Sequence, residues 1–129
     1  MRRGIESLIP TRPRLVIVES PYAGDVERNV AYARAALADC LRRGEAPFAS
    51  HLLYTQPGVL DDDIPHERAW GIDAGLAWGS VADATVLYTD LGISRGMEYG
   101  IAAAEKAGRP IEERTLGIGW IGFETRRLF

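Results

Sequence analysis

Two patterns of hydrophobic and polar positions alternate along this chain. Leu15-Val16-Ile17-Val18 is a short continuous apolar run, closed by Pro21 and Gly24. Such a run reads as a buried strand of a parallel sheet. From Asp25 to Arg43 the apolar residues Val26, Val30, Ala33, Leu37 and Leu41 recur at steps of 4, 3, 4 and 4, which marks one face of a helix. Asp25 fits its N-cap and Gly44 its C′ position. Pro47-Phe48-Ala49 reads as a second strand, and Ser50 to Asp62 as a polar loop with a turn at Gln56-Pro57-Gly58. Asp61-Asp62-Asp63 followed by Pro65 signals the start of a helix that runs to about Trp78. Val81 to Thr89 is the next strand. Ser94 to Ala107 is the third helix, closed by Gly108 and Pro110, and Ile111–Leu116 is a last short strand.

The order β-α-β-α-β-α-β predicts an α/β sandwich with a mainly parallel sheet of four to five strands. Residues 1–13 read as a flexible arm and 14–116 as the domain. Residues 117–129 are an apolar, Gly-spaced extension, open to three readings: an edge strand, an arm on a partner subunit, or a tail.

Composition narrows what this scaffold can do. At 129 residues, 47% of them hydrophobic, the chain is one ordinary domain with a core of its own. A single cysteine, Cys40, excludes a disulfide framework and a Cys-based zinc site, and two histidines leave little for a metal centre. A net charge of −3 argues against a nucleic-acid polymer as partner. The basic residues are fourteen Arg and one Lys, Lys106, an excess that reads as the codon bias of a GC-rich genome. Arg2, Arg3, Arg12 and Arg14 open the chain without the apolar stretch of a signal peptide. No run approaches the ~18 apolar residues of a membrane span, so a cytoplasmic protein is expected.

In open α/β sheets ligands bind outside the carboxyl ends of the strands, at helix N-termini. Two loops fit that place: Glu19 to Asp25, with Ser20, Pro21, Tyr22 and Gly24, and Thr89 to Gly96, with Asp90, Gly92, Ser94 and Arg95. Neither is a GxGxxG or Walker loop, yet both carry small residues and hydroxyls suited to a phosphate or a sugar. Arg28 and Arg95 are candidates to meet a phosphate, and His51, after the second strand, to line the same cleft. Glu98 stands one turn into the third helix, four residues after Ser94, a spacing that does not match the three of a capping box. Gly96 and Gly100 flank it; each costs about 1 kcal/mol in a helix, which points to close approach of a ligand or of the sheet. Asp73 falls on an apolar face, with Ala69, Leu76 and Ala77 as helical neighbours. Gly71, Gly75 and Gly79 form a stripe beside Trp70, Ala74 and Trp78, which fits a homo-oligomer interface as well as it fits packing on the sheet.

Together these residues carry a resemblance. Glu19-Ser20-Pro21-Tyr22-Ala23-Gly24 after a strand resembles the opening of the nucleoside 2-deoxyribosyltransferases and their small, often phage-encoded relatives. Ala82 to Asp90, a Gly-containing loop, and Gly96-Met97-Glu98-Tyr99-Gly100-Ile101-Ala102 are similar to that family's strand–loop–helix. The likeness spans about residues 14–113. It implies a Rossmann-like or flavodoxin-like three-layer sandwich. It implies Glu98 as the nucleophile that attacks C1′, Tyr22 as the phenol that orients it, and Asp73 as the acid at the leaving base. Ser94 is implied as a sugar- or phosphate-binding hydroxyl, at a spacing of four from Glu98 where the family has nearer six. The implied reaction is hydrolysis or transfer at the N-glycosidic bond of a nucleoside or nucleoside 5′-monophosphate, with no cofactor and with a homodimer or larger assembly. A non-catalytic module that binds or sequesters a nucleotide stays open beside it.

Overall fold

The computed structural model describes residues 12–117 and Trp120. The expected arm, apart from its last two residues, and the expected extension, apart from Gly117 and Trp120, lie outside the described residues.

Four parallel strands, β1 (Leu15–Glu19), β2 (Ala46–Phe48), β3 (Ala84–Tyr88) and β4 (Ile111–Arg114), form one sheet in the order β2-β1-β3-β4. Helices α1 (Val26–Arg42), α3 (Pro65–Gly79) and α4 (Arg95–Ala107) connect them, with a single-turn α2 (Ser50–Leu53) after β2. The pleat sends alternate side chains to opposite faces. Val16, Val18, Ala84, Val86 and Tyr88 pack with Tyr32, Ala36 and Cys40 of α1 and with Trp120 to form the core. Tyr32 and Trp120 meet edge to face, their ring centres 5.0 Å apart. The intervening residues Ile17 and Glu19 of β1 face the other side and line a cavity there, against α2, α3 and α4. This is the flavodoxin-like three-layer α/β arrangement, with four strands.

Local chemistry sets the element ends. Asp25 caps α1, its carboxylate accepting from the Arg28 amide, and Gly44 takes φ +82° just beyond the other end. α3 begins with Pro65, but its N-cap is Ile64, with no side-chain cap. The acidic run serves the turn before it instead: the Asp63 amide donates to Asp61 and the Asp61 amide to Glu67. Ser94 does cap α4, accepting from the Met97 amide at 3.3 Å, while the Ser94 amide meets the Met97 sulfur at 3.4 Å. Glu98 takes no part in this cap, as its spacing from Ser94 implied; a thioether three residues on takes the place of the usual Glu.

Three boundaries shift. The strand expected over Val81–Thr89 is only Ala84–Tyr88; Val81 is exposed in the turn that closes α3, and the Asp83 carboxylate instead accepts from the Leu15 amide. β4 ends at Arg114, because the Asp90 carboxylate captures the Leu116 and Gly117 amides. The loop expected from Ser50 begins with α2, which packs beneath α3.

Candidate functional site

The cavity has a volume of about 640 Å³ and sits at the carboxyl end of β1, between α2, α3 and the first two turns of α4. That size suits a small-molecule ligand. β1 and its loop supply Ile17, Glu19, Ser20 and Tyr22; α2 and the residues after it supply His51, Tyr54 and Thr55. From α3 come Arg68, Gly71, Ile72 and Gly75, and from α4 Arg95, Gly96, Tyr99 and Gly100, with Ser94 before it and Arg109 after it.

The glycines make the space. A Cβ on Gly75 would lie 2.7 Å from the Ser50 hydroxyl, so α3 settles onto α2 only without one. A Cβ on Gly100 would overlap the carboxyl group of Glu19, at 2.7 Å from even its farther oxygen. The close approach read from Gly100 in the sequence is therefore an approach of the sheet, and its agent is a carboxyl group. The Gly71, Gly75 and Gly79 stripe turns inward, to Leu60, Ser50 and Arg109 respectively. Its neighbours Trp70 and Trp78 stand more than half exposed.

Four polar groups define the chemistry of the wall. Glu19 is partly buried, and desolvation pushes its carboxyl up to about 8, with the nearby Arg109 charge pulling against that rise. Arg109 is held in place from both sides, donating to the Thr85 hydroxyl at 2.9 Å and the Gly79 carbonyl at 2.8 Å. Ser20, itself buried, lies 2.7 Å from His51 Nε2. Burial lowers that imidazole to about 4, so it is neutral at ordinary pH. A neutral imidazole can accept a proton or a hydrogen bond where a charged one could not. The loop bearing Ser20 and Tyr22 is pinned by the buried Asn29, whose amide donates to the Tyr22 and Ala23 carbonyls at 2.9 and 3.1 Å.

The structure brings six of the expected site residues to this cavity: Ser20, Tyr22, His51, Ser94, Arg95 and Gly96. The others stand elsewhere. Glu98 and Asp73 are exposed on α4 and α3, and neither lines the cavity. On α4 the cavity takes residues 95, 96, 99, 100 and 103. Position 98 is rotated away from that stripe by the helical repeat. Asp73 is likewise offset from the inward row of Gly71, Ile72 and Gly75. Pro21 is buried, Gly24 and Gly92 are turn glycines with φ of +100° and +85°, and Arg28 reaches its neighbour Asn29. Asp90 is a bracket, accepting from the Tyr32 hydroxyl at 2.6 Å as well as from the two amides after β4, and these bonds hold its carboxyl below the usual range against desolvation.

Glu19 and Arg109 are the residues that sequence reasoning passed over. The signal for Glu19 was present: it ends an apolar strand, on the face opposite Val16 and Val18, with a glycine-containing helix to cross it. Arg109 carries no local signal, since its place depends on the αL turn at Gly108. Among the described residues no group of three His, Cys, Asp or Glu is arranged to hold a metal ion, and no helix is long and apolar enough to cross a membrane.

An open parallel sheet with a cavity at the strand ends defines an α/β domain of flavodoxin-like class, the cavity lying where open α/β sheets take their ligands. A solved 2-deoxyribosyltransferase from the psychrotolerant bacterium Bacillus psychrosaccharolyticus has a similar fold, with a TM-score of 0.56, 18% identity, and coverage of 78% of this chain and 72% of that one. By sequence, the chain belongs to the family described as "Domain of unknown function (DUF7768)", whose model matches residues 14–114. No curated protein matches it.

Proposed function

We propose that this protein binds a nucleoside or nucleoside 5′-monophosphate in the cavity and cleaves its N-glycosidic bond, by hydrolysis in preference to transfer. The observation that carries the reading is convergence. Ser20 and Tyr22 after β1, His51 on α2, and Ser94, Arg95 and Gly96 at the start of α4 come from three separate stretches of chain and share one cavity. Tyr22, Tyr54 and Tyr99 offer aromatic surface for a base or a sugar. The first turn of α4, with Arg95 beside it, is the natural seat for a 5′-phosphate, since a helix N-terminus favours an anion. The likeness of fold to a 2-deoxyribosyltransferase supports the same substrate class.

Tyr22, alone of the three catalytic residues implied by the resemblance, stands in the lining. Cleavage through an oxocarbenium-like transition state needs a carboxyl group at the bond. For Glu98 to serve as nucleophile, α4 must turn its carboxylate inward. That gap favours one second reading, a module on the same scaffold that binds the nucleotide without cleaving it.

The test is incubation of the protein with ribo- and deoxyribonucleosides and their 5′-monophosphates, with free base followed by chromatography. Release of base by the wild type is the expected result. Saturable binding with no base released would establish the second reading instead. Glu98→Gln, run alongside, decides whether Glu98 acts as nucleophile: abolished release returns it to the site, and unchanged release removes it.

A further inference from the structure

We propose that Glu19, carried by β1 into the space that Gly100 leaves open on α4, is the acid–base residue that protonates the departing base. The inference rests on the reading of the cavity as an N-glycosidic site and assigns that site its proton donor.

Glu19 differs from every other acid at the cavity. Asp62 and Glu67, which also line a neighbouring cleft, are both engaged: Asp62 pairs with Arg68 at 3.3 Å and Glu67 accepts from the Asp61 amide at 3.0 Å. Glu19 points into the interior, and no hydrogen bond or ion pair among the described residues holds it. Its position nonetheless depends on a glycine. Any side chain at position 100 would collide with the carboxyl group, so the conformation of Glu19 and the absence of a Cβ on α4 go together. A helix tolerates such a glycine at some cost in stability.

The titratable and charged groups that share the cavity lining with Glu19 are Tyr22 in its own loop, His51 and Tyr54 on and after α2, Asp62, Glu67 and Arg68 before and on α3, Arg95 and Tyr99 on α4, and Arg109 after it. His51 is neutral, and Arg109 is the charge that acts on Glu19, without overcoming desolvation. The carboxyl group is therefore protonated at neutral pH, the form a donor must have.

The step balances without any further reagent. As the C1′–N bond breaks, its electron pair passes to the base nitrogen, which takes the proton of Glu19. The sugar is left as an oxocarbenium ion and Glu19 as a carboxylate. Water adds to C1′ and returns one proton to Glu19. The sum is one water consumed, with one free base and one free sugar formed.

Glu19→Gln keeps the shape of the side chain and removes the transferable proton. We expect its rate of base release to fall by about 100-fold or more, with nucleotide affinity, measured by calorimetry, within a few-fold of wild type. The wild-type rate should fall tenfold per unit as pH rises past the ionisation of the acid. In Glu19→Ala/Gly100→Asp the carboxyl group returns to the same place from α4, because an aspartate carboxyl carbon is bonded directly to the Cβ that Gly100 lacks. Release at least tenfold above Glu19→Ala alone is expected there, a gain that a structural role for Glu19 would not produce. A cleaving wild type with an equally active Glu19→Gln would overturn the assignment and leave the reading of the site intact. So would a wild-type rate that climbs through pH 8. A wild type that releases no base from any substrate of the panel would overturn the reading of the site and the role of Glu19 with it.

Discussion

Two glutamates sit inside this small domain and meet opposite treatment. Glu45, just before β2, is 6% exposed and is gripped by Arg114, whose two terminal nitrogens each approach a different carboxylate oxygen at 2.7 Å. Arg114 also reaches Glu112 at 2.9 Å, and Arg14 joins both acids from outside. Glu45 is accordingly held below the usual carboxylate range. Glu19 has no such partner, and burial pushes it up to about 8. A paired carboxylate is a structural element, since removing its partner leaves a charge stranded in a poor solvent. An unpaired carboxyl group in a cavity is a candidate for proton transfer, and that contrast separates scaffold from the proposed site in this molecule.

The contrast breaks most visibly at Arg114. Arg114→Met leaves the buried Glu45 with only the 3.4 Å contact to Arg14, and we expect a loss of about 3 kcal/mol in urea unfolding. Glu45→Leu in the same chain should recover most of it. A loss below about 1 kcal/mol would show that the cluster is solvated after all.

The dependence of stability on pH sharpens the other side. Glu19 binds its proton more tightly folded than unfolded, about 8 against an ordinary 4.5, so its contribution is complete below pH 4.5 and is lost as pH rises through 8. His51, at about 4 against 6.5, contributes above pH 6.5 and loses that contribution as pH falls through 4. The two slopes oppose each other between pH 4.5 and 6.5, and Glu19 acts alone from 6.5 to 8. There the wild type should lose stability by up to about 1.4 kcal/mol per pH unit, while Glu19→Gln stays nearly flat. Equal slopes in the two proteins would show that the carboxyl group is solvated.

Asn29 tests the wall that positions Tyr22. Asn29→Ala removes the amide that holds the Tyr22 and Ala23 carbonyls and should cost about 1 kcal/mol, with a rise in KM for any substrate cleaved. The smallest effect concerns the outer surface of α3, where Trp70 and Trp78 are 60% and 56% exposed. Light scattering should show at least a dimer, and Trp70→Glu with Trp78→Glu should yield monomers of unchanged thermal midpoint. A wild type that is strictly monomeric would remove the case for this face as an interface.

The alternation of strand and helix was legible in the sequence because each apolar period has a length and capping residues of its own. Asp25, Gly44, Pro65, Ser94 and Gly108 mark element ends by local chemistry, which acts between residues a few positions apart. The two loops that meet at the cavity were legible for the same reason, since a parallel sheet sends the ends of β1 and β3 to one edge. The acid was not legible. Glu98 and Asp73 stand out by their neighbours along the chain, but a helix turns 100° per residue, and position 98 falls outside the stripe of 95, 96, 99, 100 and 103 that lines the cavity. Asp90, well placed by sequence, is drawn into tying down the chain after β4.

The sequence by itself determined the strand–helix order, the parallel sheet, the loops that form the site, and a glycine at position 100 that something must approach. Only the tertiary structure decided what approaches it. Glu19 and Gly100 are 81 residues apart in the chain. Their meeting, and the loss of water that raises the carboxyl group to about 8, exist only once β1 and α4 are packed together. Burial and pairing are properties of the folded neighbourhood, which no local pattern encodes.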